Sequence, residues 1–263
     1  MLFAQVTTII FTVLALGLRS QAVYIPGSAT YNGITGPAFW GKLSPNWTLC
    51  DMGLHQSPID LDFRDIVHGP LQLSVPETIS VELQNNGHTL QANVPAMTQA
   101  QFTLILKGQT YQLQQFHLHT PSEHRVNGKF HDLELHFLWK TAAGASAVTA
   151  VFYNKDQYES EFLKVFTTSP PTQVNATINI TSTTIGEFFN KIHDFDRFYH
   201  YDGSLTIPPC TEGVDWYIYP DVQSLNYLQH ELVSSIMGFN ARFTQASGIS
   251  ATKFTCSHFG SSW

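Results

Sequence analysis

The sequence predicts a mostly β protein with a single domain. Short runs of period-two hydrophobic alternation fill the middle of the chain, turn residues separate them, and nothing divides the chain into parts. Of 263 residues, 43% are hydrophobic and 13% charged, with 17 Gly and 13 Pro. That length allows one large or two ordinary domains, and the composition argues against disorder, collagen and a polytopic membrane protein. No internal repeat, low-complexity tract, coiled coil or dividing linker is evident, so residues 23–263 are read as one domain with one core. The formal net charge of −7 argues against a surface built for a phosphate backbone, and nucleic acid is not an expected partner.

Met1 to Leu18 is almost continuously apolar, and small residues at Ser20 and Ala22 suit cleavage after Ala22. Residues 1–22 therefore read as a secretory signal peptide. The alternative is a single N-terminal anchor, since no Lys or Arg precedes the apolar run, but the run barely reaches the ~17–25 residues a bilayer needs. No later segment reads as a membrane span, so stable membrane insertion is not expected. Gly33, Gly36, Pro37, Gly41 and Pro45 break the stretch from Gly27 to Asp60, which reads as an irregular packed arm.

Strand patterns follow at Ile79–Leu83 and Thr89–Val94, with Asn85–His88 as a turn or strand entry. Gln101–Leu106 and Tyr111–His119 flank a Lys107-Gly108-Gln109 turn, and Asp132–Trp139 and Ala145–Tyr153 flank Ala142-Ala143-Gly144. Such neighbours predict antiparallel sheet. Helices are expected at Ser160–Thr167, stopped by Ser169-Pro170-Pro171, at residues 182–190, and at Ser224–Ile236.

Secretion would place the chain in an extracellular or periplasmic-type oxidising compartment, where three cysteines allow one bridge and one leftover. The residues alone leave all three pairings open. Asn46-Trp47-Thr48, Asn175-Ala176-Thr177 and Asn179-Ile180-Thr181 are acceptor sequons, so Asn46, Asn175 and Asn179 are glycosylation candidates expected at the surface.

The chain carries 12 His. Period two puts His117 and His119 on one strand face and Phe116 and Leu118 on the other, and puts Glu134 and His136 opposite Leu133 and Leu135. If the two strands pair across the polar turn Val126-Asn127-Gly128-Lys129, His136 can join the first two histidines. Three neutral imidazoles with an open fourth position are what catalytic zinc takes, whereas a closed structural site usually recruits a fourth side chain, often Cys. A lone His-x-His is more often an ordinary sheet pair; the third histidine is what favours a metal.

Five motifs then stand in order: Gln56-Ser57-Pro58-Ile59-Asp60; Asn86-Gly87-His88; Phe116-His117-Leu118-His119 with Ser122-Glu123-His124; Glu134-Leu135-His136; and Gly203-Ser204-Leu205-Thr206-Ile207-Pro208-Pro209. Over roughly Tyr31 to Gln245 the chain resembles the alpha-class carbonic anhydrases of the secreted type. The resemblance implies an α+β fold built on a central twisted, mainly antiparallel sheet of about ten strands with short peripheral helices. It also implies one Zn(2+) per chain in a conical cleft, and reversible hydration of carbon dioxide to bicarbonate and a proton, a lyase reaction whose partners are CO2, bicarbonate and water.

Residue by residue, the resemblance makes His117, His119 and His136 the metal ligands, oriented by Gln115, by a backbone carbonyl and by Glu134 respectively. The metal lowers the pKa of a bound water to ~7. By the same resemblance, Thr206 would accept from the nucleophile and donate to Glu123, pre-organising the attack. His88 would relay the proton, and Tyr31, Asn86 and Gln91 would order waters in the cleft. Leu138, Val148, Leu205, Val214 and Trp216 would form an apolar wall for CO2. Without the resemblance, Thr206 is a turn residue, Glu123 a surface acid, His88 part of a turn, and the wall ordinary core.

A Cys50–Cys210 bridge is also implied, which would stabilise by ~5 kcal/mol on the chain-entropy account of so long a loop. Cys256 is then free or intermolecular, and a homodimer through it stays open. Three positions depart from the family pattern. Ile207 replaces a common threonine beside the product position, which predicts altered anion binding without loss of the reaction; Ala29 stands for a usual Trp and Phe243 for a usual Pro, and both bear on packing. Silent relatives generally lose a zinc histidine, and none is lost here. Ester hydrolysis is a further reading, but no acyl-specificity pocket is evident in the sequence.

Overall fold

The computed structural model describes residues 29–69, 71–191 and 197–246; the expected signal peptide and Cys256 lie outside them. Thirteen strands form among these residues: β1 Asp60–Leu61, β2 Ile66–His68, β3 Gln72–Ser74, β4 Thr78–Asn85, β5 Leu90–Asn93, β6 Thr103–Leu106, β7 Gln109–His119, β8 Arg125–Val126, β9 Leu133–Lys140, β10 Ser146–Asp156, β11 Thr177–Thr184, β12 Arg197–Ser204 and β13 Glu212–Asn226. The helices are short: α1 Trp40–Leu43, α2 Leu49–Met52, α3 Lys164–Thr167, α4 Gly186–Lys191 and α5 Tyr227–Met237. Among the described residues, the arm before β1 holds only α1, α2 and 3-10 turns, in keeping with its Gly and Pro content.

Eleven strands make one sheet in the order β11-β4-β5-β7-β9-β10-β13-β12-β2, with β6 pairing with both β3 and β7, while β1 and β8 form a separate pair. The sheet is mainly antiparallel as expected, with one exception at its centre. There β10 and β13 run parallel from Ser146↔Val214 to Asp156↔Asn226. A parallel neighbour needs a long crossover, and α3, β11, α4 and β12 all lie between these two strands in the chain.

Alternation divides the sheet into two faces. Leu113, Phe116 and Leu118 of β7, and Leu133, Leu135, Phe137 and Trp139 of β9, enter the larger core with Phe162, Phe166, Phe188 and Phe189. Phe116 lies 5.5 Å from Phe162 and Phe137 lies 5.2 Å from Phe189, centroid to centroid, distances at which tilted aromatic rings attract. Val148, Ala150 and Phe152 of β10 and Val214, Trp216 and Ile218 of β13 build a smaller core with Ile59, Leu61, Tyr199 and Tyr201. The polar face of β7 and β9 is free to carry chemistry beside that smaller core.

Strict alternation does not run through β7. The pairing with β9 shifts between Leu113 and Gln115, and a β-bulge there changes the phase, so that Leu113 and Phe116 both point into the core. Gln115, His117 and His119 thereby share the outer face. The expected helices are also redrawn. Residues 161–163 form turns before α3, β11 runs on through Thr184, and β13 extends to Asn226 before α5 starts. Asn226 ends the strand because its side chain caps the helix: Oδ1 accepts from Gln229 N at 2.8 Å, and the Gln229 side chain accepts from Asn226 N.

Candidate metal centre and active site

In the β7–β9 register His117 faces His136, and His119 faces Glu134. Ring centroids lie 5.0 Å apart for His117–His119, 5.2 Å for His117–His136 and 4.6 Å for His119–His136. One ring nitrogen of each histidine is already engaged. His117 Nδ1 lies 2.8 Å from Gln115 Oε1, His119 Nδ1 lies 2.8 Å from the Asn240 carbonyl oxygen, and His136 Nε2 lies 2.7 Å from Glu134 Oε1. Each acceptor draws the ring proton to itself, which leaves His117 Nε2, His119 Nε2 and His136 Nδ1 as lone-pair nitrogens. One nitrogen from each of the three rings falls within a common 4.8 Å. Burial, with its neighbouring histidines, pushes His117 well below the ordinary histidine range, and burial lowers His119 as well. Three imidazoles converging in this way fit a zinc ion with an open fourth position.

Glu134 is fully buried. Burial alone would raise its pKa, but His124 and His136 hold it well below the usual carboxylate range. All of its acceptor capacity is used: Oε1 also meets His124 Nδ1 at 2.6 Å, and Oε2 accepts from the Glu123 and His124 backbone N–H groups at 2.8 Å each. His124 Nε2 in turn lies 2.6 Å from the Tyr201 hydroxyl, which lies 2.8 Å from Ser57 Oγ. His124, Tyr201 and Ser57 form a supporting chain to which the sequence reading assigned no role, although Ser57 and His124 stand inside the motifs.

Glu123 is also fully buried. Its Oε1 accepts from Arg242 N at 2.8 Å, and its Oε2 lies 3.4 Å from His119 Nε2 with no hydrogen-bond partner among the described residues. The expected bond from Thr206 to Glu123 is therefore not formed at Oε2, although that oxygen has the capacity to accept it and Thr206 is itself buried. Arg242, buried and lowered by that burial to about 10, stays charged at neutral pH. It donates to Gln56 Oε1, to Ser57 O and to Cys50 O.

Cys50 and Cys210 are bonded, 160 residues apart in sequence, as the resemblance implied. Gln56 Nε2 donates to Cys210 O at 3.0 Å, so Gln56 and Arg242 tie both ends of the clamp to the Glu123 region. The bridge anchors the loop Thr206–Thr211, which Leu205 N closes on Thr211 O at 2.9 Å.

Val148, Val214 and Trp216 are buried beside the histidines, with Leu138 and Leu205 packed against them. The Trp216 ring sits 5.0 Å from His136. Ile207 is 46% exposed, so it belongs to the mouth of the site and stands outside this wall. It lines a cavity of about 290 Å³ with Ala29, Tyr31, Trp40, Trp47 and His88. His88 is exposed in a turn where Asn86 Oδ1 accepts from His88 N and Thr89 N at 2.9 Å each. Its ring meets Tyr31 edge-on at 6.2 Å, and partial burial lowers its pKa. Asn86 Nδ2 reaches Gln91 Oε1 at 3.4 Å, and Gln91 pairs across the sheet with His117. All three sequon asparagines are exposed.

A second cluster, His200, Asp202 and Asp215, also brings ligand atoms within 4.8 Å. There Lys107 Nζ sits 2.8 Å from Asp215 Oδ1 and supplies the positive charge, which makes this an ion-pair network on the outer sheet.

A mainly antiparallel sheet that brings three histidines together from adjacent strands, each ring held by an acceptor of its own, has the layout of a zinc site of the alpha-carbonic-anhydrase class. Residues 35–247 match the eukaryotic-type carbonic anhydrase family profile. A carbonic anhydrase of Pectobacterium carotovorum is 36% identical over 208 residues, covering 79% of this chain and 82% of its own. The alpha-carbonic anhydrase of Photobacterium profundum superposes with a TM-score of 0.74 at 33% identity, covering 84% of this chain and 97% of that one. The fungal enzyme of Aspergillus oryzae gives 0.76 at 31%, covering 84% and 94%. The chain belongs to the alpha-type carbonic anhydrase family.

Proposed function

We infer that the protein catalyses the reversible hydration of carbon dioxide to bicarbonate and a proton. The observation that carries this is the set of three ring nitrogens, one from each histidine, gathered within 4.8 Å while each ring's other nitrogen meets an acceptor. A zinc ion held there lowers the pKa of a coordinated water to about 7 and so supplies a nucleophile at neutral pH. Gln115, the Asn240 carbonyl and Glu134 fix the tautomer and tilt of each ligand ring. Val148, Val214 and Trp216 offer an uncharged linear molecule a dry apolar wall, which suits CO2 because it carries no group to pair with a charge. Glu123 is held as an acceptor by Arg242 N, with Oε2 available to the Thr206 hydroxyl; oriented this way, Thr206 accepts a hydrogen bond from the nucleophile and aims it. His88 accepts the released proton and passes it to buffer, through waters ordered by Tyr31, Asn86 and Gln91. Ile207, at the mouth, tunes anion release.

The Cys50–Cys210 bridge belongs to an oxidising extracellular or periplasmic-type compartment. Secretion through residues 1–22, occupancy of the three sequons and a homodimer are parts of the same proposal. Stopped-flow CO2 hydration of the purified protein, with and without an aromatic sulfonamide, tests the activity. Sulfonamide-sensitive hydration is expected, and zinc-loaded protein without hydration contradicts it.

A further inference from the structure

Asn240 lies in the irregular segment after α5 and is fully buried. Its backbone carbonyl accepts from His119 Nδ1, as described. Its side chain makes three further contacts, with Oδ1 accepting from Thr120 N at 2.7 Å and Nδ2 donating to both Leu118 O and His88 O at 2.9 Å. The network fixes the amide's orientation, because a flipped amide would set NH2 against the Thr120 N–H and an oxygen against two carbonyls. One nitrogen therefore joins the backbone between two metal ligands to the backbone of the histidine at the cleft mouth. Holding the His88 carbonyl restrains that residue's ψ, and with it the direction of its Cα–Cβ bond relative to β7.

We propose that Asn240 is a positioning residue for proton transfer: its side-chain amide sets His88 relative to the metal-ligand strand. The inference rests on His88 being the proton relay. Serine is too short to span both carbonyls, and alanine makes neither bond. Both substitutions keep the backbone carbonyl that serves His119, and Thr89 Oγ1, which lies 2.5 Å from Leu118 O, still ties the turn to β7.

The test compares Asn240→Ser, Asn240→Ala and His88→Ala, each zinc-loaded, in weak and in imidazole-containing buffer. Both Asn240 variants should bind one zinc and lose on the order of tenfold in kcat in weak buffer, a part of what a positioned acid–base group contributes. Their kcat/KM, set by attack on CO2, should fall by a smaller factor than kcat. Imidazole should restore kcat, and adding Asn240→Ala to His88→Ala should cost nothing more, since the two act on one step. In 1H–13C spectra of metal-free protein the His88 ring signals should move in Asn240→Ser while those of His55 and His68 stay. If His88→Ala leaves kcat unchanged in weak buffer, the relay reading fails first. If His88→Ala is impaired and the Asn240 variants are not, the positioning role alone fails. Equal loss in kcat and kcat/KM, loss of zinc, or failure of both variants to fold would make Asn240 a scaffold residue and overturn the inference.

Discussion

At the scale of single residues, the site works by denying protons to the wrong atoms. Gln115, Glu134 and the Asn240 carbonyl each claim one nitrogen of a ligand histidine, and the other nitrogens face one another as a metal would require. His88 obeys a different requirement, being exposed enough to meet buffer and surrounded enough to have its pKa lowered by burial. A base with a lowered pKa is unprotonated, and so able to accept, over a wider range of pH. In weak buffer the kcat profile should therefore rise through an inflection below the ordinary histidine value of about 6.5. His88→Ala should remove that inflection and lower kcat, with recovery on adding imidazole. A wild-type inflection above that value, or an unchanged rate in the variant, would remove His88 from the relay.

At the scale of elements, register carries the chemistry. His117 meets His136 because β7 and β9 pair across the turn that the sequence marks at Val126–Lys129, and period two alone was enough to read that face. The bulge at Gln114 was also present in the sequence, as a phase break between Tyr111-x-Leu113 and Phe116-x-Leu118, but strict alternation read through it. Other features left no local signal. The parallel β10–β13 pair joins strands separated by two helices and two strands, and Tyr201 reaches Ser57 across 144 residues. Arg242 likewise serves Ser57 and Cys50 from the far end of the chain. Such contacts depend on topology, and only the family resemblance pointed toward the Cys50–Cys210 pairing. That bridge connects the N-terminal arm with the Thr206 loop, so Cys50→Ser with Cys210→Ser should lower the thermal midpoint by roughly 5–15 °C. It should also cost activity while the folded protein keeps its zinc. A midpoint unmoved by the double substitution would mean that Gln56 and Arg242 hold the loop unaided.

At the scale of the whole molecule, one sheet separates two tasks. Its aromatic face, with Phe116, Phe137, Phe162 and Phe189 among its rings, supplies a rigid floor. The opposite face holds buried charge that would be costly to orphan, since Glu123, Glu134 and Arg242 are all buried. The histidine excess of the composition resolves into three metal ligands, one proposed relay and His124 in the supporting chain. Three histidines so placed make a one-zinc CO2 hydratase, and stripping the protein with a chelator and titrating zinc back while following CO2 hydration tests this. Activity should rise linearly and stop at one equivalent per chain; zinc that binds without restoring hydration, or hydration that survives its removal, would contradict the account.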